Sequence, residues 1–184
     1  EFRLLILRPG SQSDDLVINL ATENFASTNQ YVAISYCWGS SEKPKDLQCI
    51  SQTSIRNPGS EGIFSTGRLP ITTNLDRMLR TLRSEEGFLV AWIDAICINQ
   101  DDVTEKAQQI QMMHRIYSKA AVTILYAGED DEETVPAFQC IKCVSPRGQE
   151  SSVSLVKAFS NLLSRDWFQR VWVMQEVVLS PRKR

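Results

Sequence analysis

The chain has 184 residues, of which 42% are hydrophobic and 23% charged, enough for one folded domain that buries a core without disulfides or a structural metal. Twenty basic side chains against twenty-two acidic ones leave a formal charge of −2, so the basic footprint of a nucleic-acid-binding domain is missing. No apolar run approaches the roughly 20 residues of a membrane span and the N-terminal residues lack a signal-peptide pattern, so the expected location is the cytoplasm.

Phe2 to Leu7 is an apolar run of strand length, and Tyr31 to Tyr36 is a second, rich in β-branched and aromatic residues, that stops at Gly39. Residues 40–68 carry Gly, Pro, Ser, Thr and Gln with few apolar side chains, which reads as a long surface insertion with room for a short hairpin. Asn74 is placed to cap a helix whose apolar positions are Leu75, Met78, Leu79 and Leu82. Phe88 to Ile96 reads as a buried strand. Asp102 and Glu105 resemble a capping box for a helix running to about Lys119, with Val103, Ala107, Ile110, His114 and Tyr117 on one face. Ala121 to Tyr126 is the next strand. After a polar stretch containing Pro136, Pro146 and Gly148, helices are expected over about 153–163 and 166–179, followed by a solvated tail at 180–184. Strands alternating with helices predict an α/β fold with a mainly parallel sheet covered on both faces. Ligands in such sheets sit at the carboxyl ends of the strands, here Ser35 to Gly39, Asp94 to Gln100 and Ala127 to Asp131.

Among motifs, neither a dinucleotide-binding G-x-G-x-x-G nor a P-loop nor a serine elbow occurs. The five cysteines include one close pair, Cys140 and Cys143, which supplies two of the four ligands of a zinc site, so no metal is expected. The single histidine, His114, falls on an apolar stripe and reads as a core or boundary residue. Chemistry therefore falls to carboxylates and aromatic rings. On a continuous last helix, Arg165, Gln169, Trp172 and Glu176 lie along one stripe, and the Glu176 carboxylate leaves beside an indole. A carboxylate so desolvated is either ion-paired or working. Asp94, at the end of an apolar strand, needs a hydrogen-bonded partner or a site, and Tyr36 and Trp38 are placed either in the core or as a stacking wall.

Three blocks carry a family resemblance: YVAISYCWG (31–39), WIDAICINQDD (92–102) continuing through EKAQQIQMMHRIYSKA (105–120), and RDWFQRVWVMQE (165–176). They resemble the signature blocks of the fungal heterokaryon-incompatibility (HET) domain, and the flanking segments extend the likeness over nearly the whole chain. The resemblance implies a single domain over residues 1–184, part of a larger protein that triggers regulated cell death on non-self recognition, joined to sensor or oligomerisation domains. HET domains are in turn similar to TIR domains, which implies a flavodoxin-like three-layer sandwich. In the NAD-cleaving TIR domains a glutamate follows a tryptophan by four residues, which implies that Glu176, after Trp172, is the catalytic residue.

That likeness makes NAD+ the expected substrate, with no cofactor, and homo-oligomerisation on activation. Ser35, Tyr36, Trp38, Gly39, Asp94, Asn99, Gln100, Arg170 and Trp172 are the expected substrate-binding residues, with Asn99 and Gln100 on ribose or phosphate and Arg170 or Arg165 on phosphate. The rival expectation is a non-enzymatic assembly module that kills by recruiting partners, in which Glu176 and Asp94 form a buried network fixing the fold.

Overall fold

In a computed structural model, which describes residues 1–25, 30–52, 65–142 and 152–181, the apolar runs pair into one sheet. Its strands are β1 (Phe2–Leu7), β2 (Val17–Glu23), β3 (Val32–Tyr36), β4 (Lys45–Gln52), β5 (Ser65–Ile71), β6 (Leu89–Trp92) and β7 (Val122–Tyr126), in the spatial order β5-β4-β2-β1-β6-β3-β7. The helices are α1 (Thr73–Leu82), α2 (Asp94–Cys97), α3 (Val103–Lys119), α4 (Val135–Lys142), α5 (Ser152–Leu163) and α6 (Val173–Val178), with a 3-10 turn at Asp166–Gln169. The fold is α/β, and among the described residues no helix is long and apolar enough to cross a membrane.

β1 lies at the centre of the sheet, antiparallel to both β2 and β6. Leu4, Leu5, Ile6 and Leu7 are all buried although successive side chains point to opposite faces, so both faces of the sheet are covered there. The parallel pairings are β2 with β4, β3 with β6 and β3 with β7, and β4 and β5 pair antiparallel. The sheet is therefore mixed, with its parallel character concentrated around β3. On one side α3 is held to this region by Tyr117, whose hydroxyl donates to the Ile34 carbonyl at 3.3 Å and whose ring meets Trp92 edge-on. Tyr31 reaches back to the Ile116 carbonyl at 2.6 Å.

Several sequence expectations shift. Residues 40–68 do hold a hairpin, but it is part of the main sheet: β4 and β5 extend the sheet and bury Leu47; residues 53–64 lie outside the described residues. β2 was hidden by polar residues at buried positions, Asn19 and Glu23, the former accepting a hydrogen bond from Arg8 at 2.8 Å. The strand expected to run to Ile96 stops at Trp92, and the chain turns at once into α2. The cap of α1 lies two residues before the expected one: the Thr72 hydroxyl accepts from the Leu75 amide, whereas the Asn74 side chain donates to the Cys37 carbonyl at 3.4 Å. Asp102 caps α3 as expected, accepting from the amides of Thr104 and Glu105. The capping box is not reciprocal, since the Glu105 carboxylate accepts from the Asn99 amide and pairs with Arg3.

Of the expected stripe Tyr117 is buried, but Val103, Ala107, Ile110 and His114 are exposed, because the buried face of α3 is Gln109, Met113, Ile116 and Tyr117. The last expected helix is broken at Arg170, whose backbone is extended, so Arg165, Gln169, Trp172 and Glu176 do not share one continuous stripe. α4 fills part of the stretch read as polar and packs Ala137 against Ala158 and Leu162 of α5 in a small second core. Of the close cysteine pair, Cys143 lies outside the described residues, as do residues 182–184 of the expected tail.

Replacing Thr72 with alanine should cost about 1 kcal/mol in urea unfolding, the usual worth of an N-cap side chain. Asn74→Ala should cost less than half of that, because its side chain caps nothing.

Candidate functional site

At the carboxyl end of β3 the chain places alternating side chains on opposite faces: Ser35 inward under the last segment, Tyr36 into the core, and then Cys37, Trp38 and Gly39 at the rim. Gly39 adopts a φ of +70°, which favours glycine, and a Cβ there would come within 2.5 Å of the Asn74 side-chain Nδ2 and push that side chain aside. This turn aims the Trp38 indole at α2. Its Nε1 donates to both carboxylate oxygens of Asp94, at 3.1 and 3.0 Å. Asp94 also accepts from the Ala95 amide at 2.7 Å, a contact made possible because β6 ends at Trp92 and α2 begins at this residue.

Arg170 enters from the other side. Its Nη1 donates to the Tyr36 carbonyl, while Nη2 lies 3.5 Å from Glu176 and 3.9 Å from Asp94. Glu176 also receives a short hydrogen bond from the Ser35 hydroxyl, which in turn accepts from the Trp167 indole at 2.8 Å. The result is one chain of polar contacts running Trp167, Ser35, Glu176, Arg170, Asp94, Trp38. Two carboxylates share one guanidinium in a poorly solvated place. Burial pushes the Asp94 carboxyl up to about 6, against the pull of the Trp38 hydrogen bond and Arg170, and burial likewise raises Glu176 against its bonds to Ser35 and Arg170.

A cavity of about 370 Å³ opens above this network. It brings together Trp38, Gly39, Asp94, Gln100, Arg170 and Trp172, six of the sequence-predicted residues, with Cys37, Ile98, Lys106, Ile110 and Met113 completing the wall. Size and lining suit a small planar ligand with a charged or polar group. Glu176 and Ser35 do not line it. Glu176 is 1% exposed and stands behind Arg170, and Tyr36 is buried with its hydroxyl unpartnered among the described residues. Asn99 is exposed outside the cavity, where its side chain accepts from the Asp101 amide. Arg165 is committed elsewhere, donating to the carbonyls of Ala127 and Glu129, to Asp131 and to Thr134. Lys106, Ile110 and Met113 were missed, although their spacing of four and three residues on one helix is a readable signal for a shared face.

Residues 31–176 match the family described as Heterokaryon incompatibility protein (HET). This chain belongs to the HET family. It is similar to heterokaryon incompatibility protein 6, OR allele, of Neurospora crassa, at 29% identity over 96% of this chain and 32% of the relative. The HET chain thus spans about a third of the length of that relative. No solved structure matches it. The matched span runs from the residue that leads into β3 to Glu176 and so encloses the whole polar network.

Two stability tests follow from the shared guanidinium. Arg170→Met should cost about 3 kcal/mol in urea unfolding at neutral pH, because it leaves two carboxylates buried without the cation between them, and adding Glu176→Gln should return part of the loss. Asp94→Asn should act in the opposite sense. A carboxyl whose pKa rises on folding favours the folded state at low pH and loses that contribution as pH rises through about 6. The asparagine variant should therefore be more stable than wild type by up to about 3 kcal/mol above that pH, with the gain vanishing toward pH ~4.

Proposed function

We propose that this HET domain is a cytoplasmic cell-death effector of fungal heterokaryon incompatibility that, on self-association, cleaves NAD+ at the nicotinamide N-glycosidic bond. The relative's name supports the biological half of this reading, and sensor or oligomerisation domains elsewhere in the full-length protein would control it. The observation that carries the chemical half is the cavity between Trp38 and Trp172 with Asp94 and Arg170 at its polar end.

A nicotinamide ring attached to ribose is planar and cationic. Indole faces attract such a ring, and the Asp94 carboxylate supplies the opposite charge. When the carbon–nitrogen bond breaks, its electron pair leaves on the ring nitrogen and nicotinamide departs neutral, so no general acid is needed. Positive charge builds on the ribose, a nearby carboxylate stabilises it, and water then adds to the anomeric carbon with loss of a proton. Each tenfold of rate asks about 1.4 kcal/mol of such stabilisation. In this reading a ligand phosphate draws Arg170 outward and so uncovers Glu176, the catalytic carboxylate implied by the likeness to TIR domains, while Asp94 holds the ring.

One observation favours the recruitment reading instead: Glu176 is sealed by Ser35 and Arg170, and Val171, Met174 and Val178 beside it are exposed apolar residues suited to a protein contact. Nicotinamide release from NAD+ by the purified domain, free and artificially clustered, separates the two. Cleavage predicts release that falls at least about 100-fold in Glu176→Gln and in Asp94→Asn without loss of thermal stability, a deficit typical of losing a charge aimed at the transition state. It also predicts a rate that rises with pH through about 6 as Asp94 ionises. Absence of release from every clustered preparation would leave recruitment as the function.

A further inference from the structure

Among the described residues, two cations line the cavity, and one of them is committed: Arg170 donates to the Tyr36 carbonyl and stands between two carboxylates. Lys106 is not. It belongs to the first turns of α3, on the face that carries Ile110 and Met113, and all three residues line the cavity. Two acidic side chains lie close to it in sequence, yet neither takes up its charge. Asp102, four residues earlier where a helical ion pair would form, caps α3 instead and accepts from the Thr104 and Glu105 amides. Glu105 pairs with Arg3 and accepts from the Asn99 amide. Among the described residues the Lys106 ammonium has neither an ion pair nor a hydrogen bond. The residue is nevertheless half-buried, as a lysine is when its aliphatic stem lies along a wall and its charged head stays in solvent at the edge.

A nucleotide phosphate needs a cation, and the arginines near the strand ends are poorly placed to meet it first. Arg165 is held by Asp131, Thr134 and two carbonyls, and moving Arg170 leaves two poorly solvated carboxylates uncompensated. We propose that Lys106 binds the phosphate of the ligand that enters this cavity, holding it at the rim while the ring lies between Trp38 and Trp172. An ammonium with no partner to give up gains the whole of a charge-assisted contact, whereas a paired cation gains only the difference. Arg170 joins once the phosphate is held. The cavity then divides by charge, with Asp94 for the cationic ring and Lys106 for the anionic ester. The proposal deepens the NAD+ reading by naming the residue that takes its phosphate, and it rests on that reading for the identity of the ligand.

Nicotinamide riboside and nicotinamide mononucleotide share the cationic ring and differ by a phosphate, so titrating the whole chain with each isolates the contact. Calorimetry at pH ~7.5 should show the mononucleotide binding at least about tenfold more tightly, the worth of a charge-assisted hydrogen bond. Lys106→Met keeps an apolar stem and removes the charge. It should bring the ratio to about threefold or less by weakening the mononucleotide, with the riboside changed less than about twofold, and Lys106→Arg should restore most of the preference. A merely structural role would weaken both ligands alike and lower the melting temperature, which Lys106→Met should leave unchanged. Equal binding of the two ligands by wild type, an unchanged ratio in Lys106→Met, or binding of neither ligand overturns the proposal. A Lys106-dependent phosphate preference without nicotinamide release from NAD+ would refute cleavage and keep the phosphate contact. Release with an unchanged KM for NAD+ in Lys106→Met would do the reverse.

Discussion

A single guanidinium between two poorly solvated carboxylates, Glu176 buried and Asp94 at the cavity, organises this domain. Arg170 ties three separate parts of the chain: the end of β3 through the Tyr36 carbonyl, the last helix through Glu176, and the start of α2 through Asp94. Removing charges from water is expensive, and this desolvation, only partly offset by Arg170, is why both carboxyl pKa values are raised. Packing alone would favour apolar residues in their place. The arrangement therefore holds a local store of unbalanced negative charge beside an indole-walled cavity, and the break in the helix at Arg170 is what lets the side chain reach inward.

How much of this was legible depended on whether the signal was local. The apolar runs of β1, β3 and β7, the Asp102 cap and the extent of α3 follow from patterns within a few residues and were read correctly. β2 was missed because Asn19 and Glu23 are buried with polar partners, which a periodicity count scores as solvent-facing. The continuous final helix was a reasonable reading of its composition, since no glycine or proline interrupts Asp166 to Leu179. What breaks it is a tertiary demand on one arginine, invisible in the local sequence. The same holds at the site. Trp38, Asp94, Gln100, Arg170 and Trp172 were singled out from their positions at strand ends or within the last segment and do meet at one cavity, but the depth of Glu176 behind Arg170 depends on how three distant segments stack.

The family match and the fold divide the chain in an instructive way. The matched residues, 31–176, contain β3, the cavity and the whole charge network, but not β1 or β2. β1 nevertheless occupies the middle of the sheet and pairs with β6, whose end positions Asp94. The part of the protein that carries the family signature is thus built around a strand that lies outside it, and a boundary drawn at Tyr31 would remove the centre of the sheet.

The hydrogen bond between Ser35 and Glu176 joins residues 141 positions apart, and Trp38 reaches Asp94 across 56. Contacts of such separation form late, because the loop entropy must be met before they reward it. During synthesis from the N-terminus, β3 and its rim exist long before the segment bearing Arg170 leaves the ribosome. Until then the pocket has neither its guanidinium nor its second indole. The site is therefore among the last features of this domain to be completed as the chain emerges.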